Sequence, residues 1–261
     1  MAEKLAVLDL FSGIGGFSLG LERTGGFETV AFCEIEEFPR SVLAKHWPEV
    51  ICFQDVKELT KEALEQNGID RVDIITGGFP CQDISITGKK EGIGIGTRSG
   101  LFSEIIRLSS ELRPRYVLME NVANLLSGPT EQRGGWFGTV LGALASIGYD
   151  AEWENIPAAA LGAPHRRERV WIVAYPAQER SPSILQGRHN PQGYERWQVN
   201  DAPVLSHDFR TDGRAEDSYG IRSDDGFSRV MDRLGACGNA VIPHIPEMIC
   251  RAILDHESAY Q

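Results

Sequence analysis

The 261-residue sequence contains no apolar run long enough to cross a bilayer as a helix. Its amino terminus, Met1-Ala2-Glu3-Lys4, lacks the layout of a signal peptide and leads straight into a strand-like segment. No internal repeat is present, which argues against solenoids and propellers. Cysteine is scarce, with five residues at positions 33, 52, 81, 237 and 250. An odd number excludes a complete disulfide framework, and without CxxC spacing there is no zinc signature. These absences point to a reducing, cytoplasmic setting and no metal. Positive charge is also short: 26 Lys+Arg stand against 37 Asp+Glu, a net charge of -11. That balance argues against a polyanionic partner until its distribution is considered. Residues 1–164 carry 14 basic and 23 acidic groups, whereas residues 165–254 carry 12 of each, and all 12 basic ones are arginine. Arginine suits planar recognition of phosphates and bases. Nucleic-acid binding therefore stays open.

What is present is an alternation of strand-like and helix-like segments, enough for one large α/β domain with a small appendage. Strands are expected at Lys4–Phe11, Thr29–Glu34, Val50–Asp55, Val72–Thr76, Arg115–Val122, Ala151–Ile156 and Val170–Ala174. Helices are expected after Gly16 and over Pro39–His46, Leu101–Leu112, Trp136–Ile147 and Met248–Leu254. Residues 177–226 are polar, rich in Gly, Pro, Asp, Ser and Arg, and weakly periodic. They read as a small loop-rich domain or an insertion of little order.

The chemistry-bearing residues gather at strand ends. Gly77-Gly78-Phe79-Pro80-Cys81-Gln82-Asp83-Ile84-Ser85 follows the fourth strand and reads as a rigid turn presenting one thiol. A cysteine chosen at random is more often a buried structural one, but this turn makes Cys81 a candidate nucleophile. The glycine-rich loop 87–100, with three basic residues, reads as a mobile lid beside it. Ser12-Gly13-Ile14-Gly15-Gly16 joins a strand to a helix, a layout that lets backbone N–H groups approach a ligand. Glu34 ends the second strand about twenty positions later, the spacing at which a carboxylate reaches a ribose in Rossmann-like sheets. Asp55 and Glu120 end two further strands.

Taken together, these pieces resemble the DNA cytosine-5 methyltransferases. Asp9-Leu-Phe-Ser-Gly-Ile-Gly-Gly16 resembles the family's cofactor motif, Gly78-Phe-Pro-Cys-Gln82 its nucleophile motif and Glu120-Asn-Val122 its acid motif. Arg167-Glu-Arg169 resembles its arginine pair and Gly238-Asn-Ala-Val241 its closing motif. The resemblance implies a Rossmann-like S-adenosylmethionine-dependent methyltransferase fold, a mixed seven-stranded sheet with helices on both faces. It implies a catalytic domain of residues 1–176 plus 235–261 and a small target-recognition domain over 177–234. Phe11 would stack on the cofactor adenine, Gly13 and Gly15 would let the backbone approach, Glu34 would hold the ribose and Asp55 the adenine amino group. Phe79, Pro80, Asn239 and Val241 would complete the pocket. Cys81 would add to C6 of a flipped-out cytosine, and Glu120 would donate or share a proton at N3. Arg169 would bind the base O2, and Arg167 would favour the thiolate. Gln82, Ser85 and Arg98 would contact DNA.

The implied cofactor is S-adenosyl-L-methionine, with S-adenosyl-L-homocysteine as product and no metal. The implied substrate is double-stranded DNA in a bacterial or phage-infected cell. The protein reads as a monomer with no membrane partner, paired in some systems with a restriction endonuclease that it need not touch. Three departures stand out. His165 replaces the glutamine of many members, the recognition region is short, and Gly226–Arg233 occupies the place of the motif before the closing one without matching it. A tRNA cytosine methyltransferase is the alternative enzyme, and Asp83-Ile84-Ser85, without the threonine expected there, favours DNA. A nucleotide-cofactor oxidoreductase leaves Cys81, Glu120 and the arginine pair unexplained. A non-catalytic DNA-binding relative would not need Cys81 and Glu120.

Overall fold

A computed structural model describes residues 3–79, 100–128, 134–158, 167–178, 184–185 and 240–259. Pro80, Cys81, Gln82, Ser85, Arg98, His165, Asn239, the segment 226–233 and nearly all of the expected recognition region lie outside those residues. So does nearly all of the expected lid.

Seven strands form one sheet: β1 (Leu5–Leu10), β2 (Phe27–Cys33), β3 (Ile51–Phe53), β4 (Ile74–Gly78), β5 (Tyr116–Val122), β6 (Tyr149–Pro157) and β7 (Glu168–Pro176). Their order is β3-β2-β1-β4-β5-β7-β6. The first five are parallel, while β7 runs antiparallel to both β5 and β6. This is the mixed sheet that the resemblance implied. The described helices are α1 (Gly16–Arg23), α2 (Glu37–His46), α3 (Lys61–Gln66), α4 (Leu101–Leu112), α5 (Gly135–Ser146) and α6 (His244–Ala259).

Strand side chains alternate between two cores, as a sheet covered on both faces requires. Leu8, Leu10, Ile75, Val117, Met119, Val170 and Ile172 face α3, α4 and α5. Val7, Ile74, Tyr116, Leu118, Trp171 and Val173 face α1 and α6. The same alternation puts Asp9 at a fully buried position next to the carboxyl end of β1. The carboxyl-terminal helix packs beside the amino-terminal one. A Cβ on Gly16 would stand 2.6 Å from the carbonyl oxygen of Val241, so only glycine permits this approach.

Several elements differ from the sequence expectation. α3 is absent from it, because the helix is six residues long and buries only Leu64, leaving no apolar period to read. Thr60 starts it by accepting the Ala63 N–H at 3.2 Å. α6 runs 16 residues rather than seven, its first turn hidden from a sequence reading by Pro246, which the amino-terminal turn of a helix tolerates. β7 begins at Glu168, two residues early, which brings Arg169 into the sheet opposite Val122. Within the polar stretch after β7, Ile184 and Leu185 are buried, and Leu185 N donates to the buried Glu152 carboxylate at 2.8 Å.

Candidate active site

Strand order reverses between β1 and β4, so their carboxyl ends open a crevice at the topological switch point. All five parallel strands end on this edge, delivering Phe11 and Gly13 after β1, Glu34 after β2, Asp55 after β3, Gly78 and Phe79 at β4, and Glu120 on β5. β7 starts there too, because it is antiparallel, and adds Arg167 and Arg169.

The turn after β1 is bent by left-handed backbone at three positions: Phe11 (φ 52), Gly13 (φ 52) and Gly15 (φ 85). For a bulky residue such as Phe11 this conformation costs about 1–2 kcal/mol, and strain of this kind clusters at ligand sites. Gly13 N donates to Glu34 Oε2 at 2.7 Å, and Glu36 N donates to Glu34 Oε1 at 2.9 Å. Each carboxylate oxygen retains acceptor capacity for a ligand hydroxyl. The Cβ position of Gly13 opens into free space, whereas that of Gly15 meets the Trp47 ring at 2.7 Å. Gly13 is therefore open for close approach, while the Cβ direction of Gly15 is taken up by packing against α2. An open, backbone-lined turn with a carboxylate beside it suits the adenosyl and ribose portion of S-adenosylmethionine.

Beneath this turn lies a polar floor. Ser18 and Thr76 each donate a hydroxyl to Asp9 at 2.8 Å, and Ser12 donates to the Asp9 carbonyl at 2.6 Å. The carboxyl thus ties α1 and β4 to β1. Burial raises the Asp9 pKa to about 7 against the lowering effect of the two hydroxyls, with Glu34 adding a smaller upward push. Between about pH 4 and pH 7 the folded protein therefore holds a proton that the unfolded chain releases. Stability accordingly falls as pH rises through that window, by at most about 1.4 kcal/mol per pH unit, and levels off above it. Asp9→Asn should abolish this component. In urea unfolding at pH 5 and pH 8, the stability difference between variant and wild type should shift in favour of the variant as pH rises. A difference independent of pH would show that Asp9 does not titrate there.

The second half of the crevice holds the acid. Glu120 Oε1 lies 2.8 Å from Arg169 Nε, and a Cβ on Gly78 would stand 3.2 Å from Glu120 Oε2. Burial raises the Glu120 pKa, and the charges of Arg169 and Arg167 oppose that rise. Arg167 is shifted downward by its own burial and by the repulsion of Arg169. The carboxyl is thus oriented by one guanidinium, next to a second, and keeps its proton to higher pH than an exposed glutamate. Asn121 stands inside the Glu120-Asn-Val122 motif, and the sequence alone gives it no role of its own. It is buried, its Nδ2 donates to the Phe79 carbonyl at 2.7 Å, and its Oδ1 accepts from Val122 N at 2.8 Å. It fixes the chain two residues before Cys81.

The three described thiols make poor nucleophiles. Burial pushes Cys33 up to about 12, raises Cys52 and raises Cys250 well above the ordinary range. A polar cavity of about 220 Å³ lies at the opposite edge, between residues such as Arg71, Asp73 and Arg115. Arg71 is already paired there with Glu3 at 2.9 Å and Asp73 at 3.0 Å. Among the described residues, no helix is long and apolar enough to cross a membrane.

Comparison with known proteins agrees with the fold. Residues 5–217 match the family of C-5 cytosine-specific DNA methylases. The type II methyltransferase M.Sau3AI of Staphylococcus aureus is 37% identical over 182 residues, covering 66% of this chain and 44% of that one. A solved DNA modification methyltransferase encoded within an E. coli prophage superimposes with a TM-score of 0.55 at 29% identity, over 69% of this chain and 50% of that one. The methyltransferase EhMeth of Entamoeba histolytica shares the fold at 16% identity, with a TM-score of 0.60 over 97% of this chain and 99% of that one. The aligned stretch thus spans under half the length of the curated relative.

Proposed function

Because this chain belongs to the C-5 cytosine-specific DNA methylase family, we propose that it transfers a methyl group from S-adenosylmethionine to C5 of cytosine in double-stranded DNA. The observation that carries the reading is the partly buried Glu120, held by Arg169 beside Gly78 at the root of the segment bearing Cys81. Bound S-adenosylmethionine would supply an electrophilic methyl group. Every other step falls to this chain and to water.

C5 of cytosine is a weak nucleophile until its C5–C6 double bond is polarised. The Cys81 thiolate adds to C6, forming an S–C bond, and the electron pair moves toward C5 and N3. Glu120 gives or shares its proton at N3, which is why a raised pKa suits its place. Arg169 orients Glu120 and is the proposed donor to the base O2, while the charge of Arg167 favours the thiolate. C5 then takes the methyl group. N3 returns its proton to Glu120, water removes the C5 proton, the C5–C6 double bond re-forms and the thiolate leaves. Because a duplex hides both carbons, the base must be flipped out, and Gln82, Ser85 and Arg98 are the proposed contacts around the gap.

In the same reading Phe11, Gly13, Glu34, Asp55, Phe79, Pro80, Asn239 and Val241 hold the cofactor, and Gly15 shapes the turn. Residues 1–176 and 235–261 form the catalytic domain and 177–234 read the target, in a restriction-modification or phage setting. The return of Val241 to Gly16 supports that division. Glu34→Ala should weaken S-adenosylmethionine binding about tenfold, the loss of one or two ribose hydrogen bonds. An unchanged dissociation constant in calorimetry would remove Glu34 from the pocket. The whole reading is tested by incubating the protein with labelled S-adenosylmethionine and, separately, unmethylated genomic DNA and total tRNA. Label recovered as 5-methylcytosine in DNA is expected. Label confined to tRNA would move the protein to the RNA branch, and label in neither would contradict the assigned activity.

A further inference from the structure

We infer that Arg107 is a positioning residue for the adenine end of the cofactor crevice, acting through the turn that carries Asp55. The inference rests on the S-adenosylmethionine reading of the crevice. Asp55 follows β3, which has only three residues and pairs with β2 alone among the described strands. The sheet therefore gives this carboxylate little support, yet recognition of an exocyclic amino group requires it to be held within a fraction of an ångström.

Arg107 supplies that support from α4. Its Nη2 donates to both the Val56 carbonyl, at 2.9 Å, and the Leu59 carbonyl, at 2.8 Å. Its Nε donates to Glu104 at 2.7 Å and its Nη1 to Glu111 at 3.1 Å, so two carboxylates of the same helix hold the guanidinium in place. Inside the turn, Lys57 N donates to Asp55 Oδ1 at 2.9 Å and Glu58 N donates to the Asp55 carbonyl at 3.1 Å. Val56 and Leu59 are buried in the core beneath. The result is a short turn pinned by its own hydrogen bonds, two apolar anchors and one planar fork. Lysine cannot replace that fork, since a single ammonium does not present paired donors to two carbonyls while meeting two carboxylates.

A role confined to stability would weaken all ligands alike, so the test compares two that differ only along the N1–C6 edge of the purine, where the amino group is replaced by a carbonyl and N1 gains a proton. Calorimetry with S-adenosylhomocysteine and with its inosine analogue is performed on wild type, Arg107→Lys, Arg107→Ala and Asp55→Ala. Wild type should prefer the adenosyl ligand by about tenfold, the contribution of one hydrogen bond to a charged group. Arg107→Ala should lower that preference to within about twofold, matching Asp55→Ala, and Arg107→Lys should fall between. Equal weakening of both ligands in Arg107→Ala and Arg107→Lys, with the tenfold preference kept, would overturn the inference. So would a preference that survives Asp55→Ala. Failure of wild type to bind either ligand would instead overturn the cofactor reading beneath it.

Discussion

Cys81→Ser is expected to reduce methyl transfer by at least about a thousandfold while leaving the S-adenosylmethionine dissociation constant within about twofold. The thiolate is the attacking form of cysteine, and a serine hydroxyl has no comparable anionic fraction near neutral pH. The substitution removes one nucleophile and changes almost no volume, so the glycine turn after β1, Glu34 and Asp55 should be undisturbed. The described cysteines cannot stand in, since burial holds Cys33, Cys52 and Cys250 in the thiol form. Turnover within tenfold of wild type, measured with labelled cofactor on unmethylated DNA, would refute the nucleophile assignment.

The second large effect is expected at Glu120. Glu120→Gln keeps the shape and one acceptor for Arg169 but cannot give up a proton, and should lower kcat by about 10²–10⁴. The pH profile separates this from a packing defect. Because burial raises the Glu120 pKa, wild-type kcat should fall as pH rises through that pKa and the proton is lost. The glutamine variant should lack this alkaline limb and keep the rise that follows Cys81 ionisation. An alkaline limb of the same midpoint in both proteins would assign it to another group.

Much of this is legible in the sequence itself. The strand ends bearing Glu34, Asp55 and Glu120 could be read because short β-branched runs followed by a polar residue mark the carboxyl end of a buried parallel strand. The five ordered motifs then placed those ends on one crevice, and the sheet order agrees. What could not be read depended on contacts between distant segments. Asp9 is visible as an acid inside an apolar strand, itself a signal of a functional or networked group, but its bonds to Ser18 and Thr76 require α1 and β4 to meet. Arg169 lay just outside the expected strand. Its bond to Glu120 follows from an antiparallel register, which no local pattern specifies. Nothing in the sequence marks Arg107, a helix residue with acids at spacings of three and four, and only the fold shows what its other donors hold. α3 was missed for a local reason, because six residues with one buried leucine carry no period.

The central claim, a covalent bond between Cys81 and the target cytosine, can be measured directly. The protein is incubated with S-adenosylmethionine and genomic DNA in which 5-fluorocytosine randomly replaces cytosine. Fluorine at C5 cannot leave as a proton does, so the adduct should persist after methyl transfer. The denatured complex is digested and the modified peptide sequenced by mass spectrometry. The account predicts one nucleotide adduct on the peptide spanning residues 72–89, located at Cys81 and dependent on the cofactor. An adduct on Cys237 or on any other residue, or methylation of ordinary DNA with no trapped adduct on the fluorinated DNA, would contradict it.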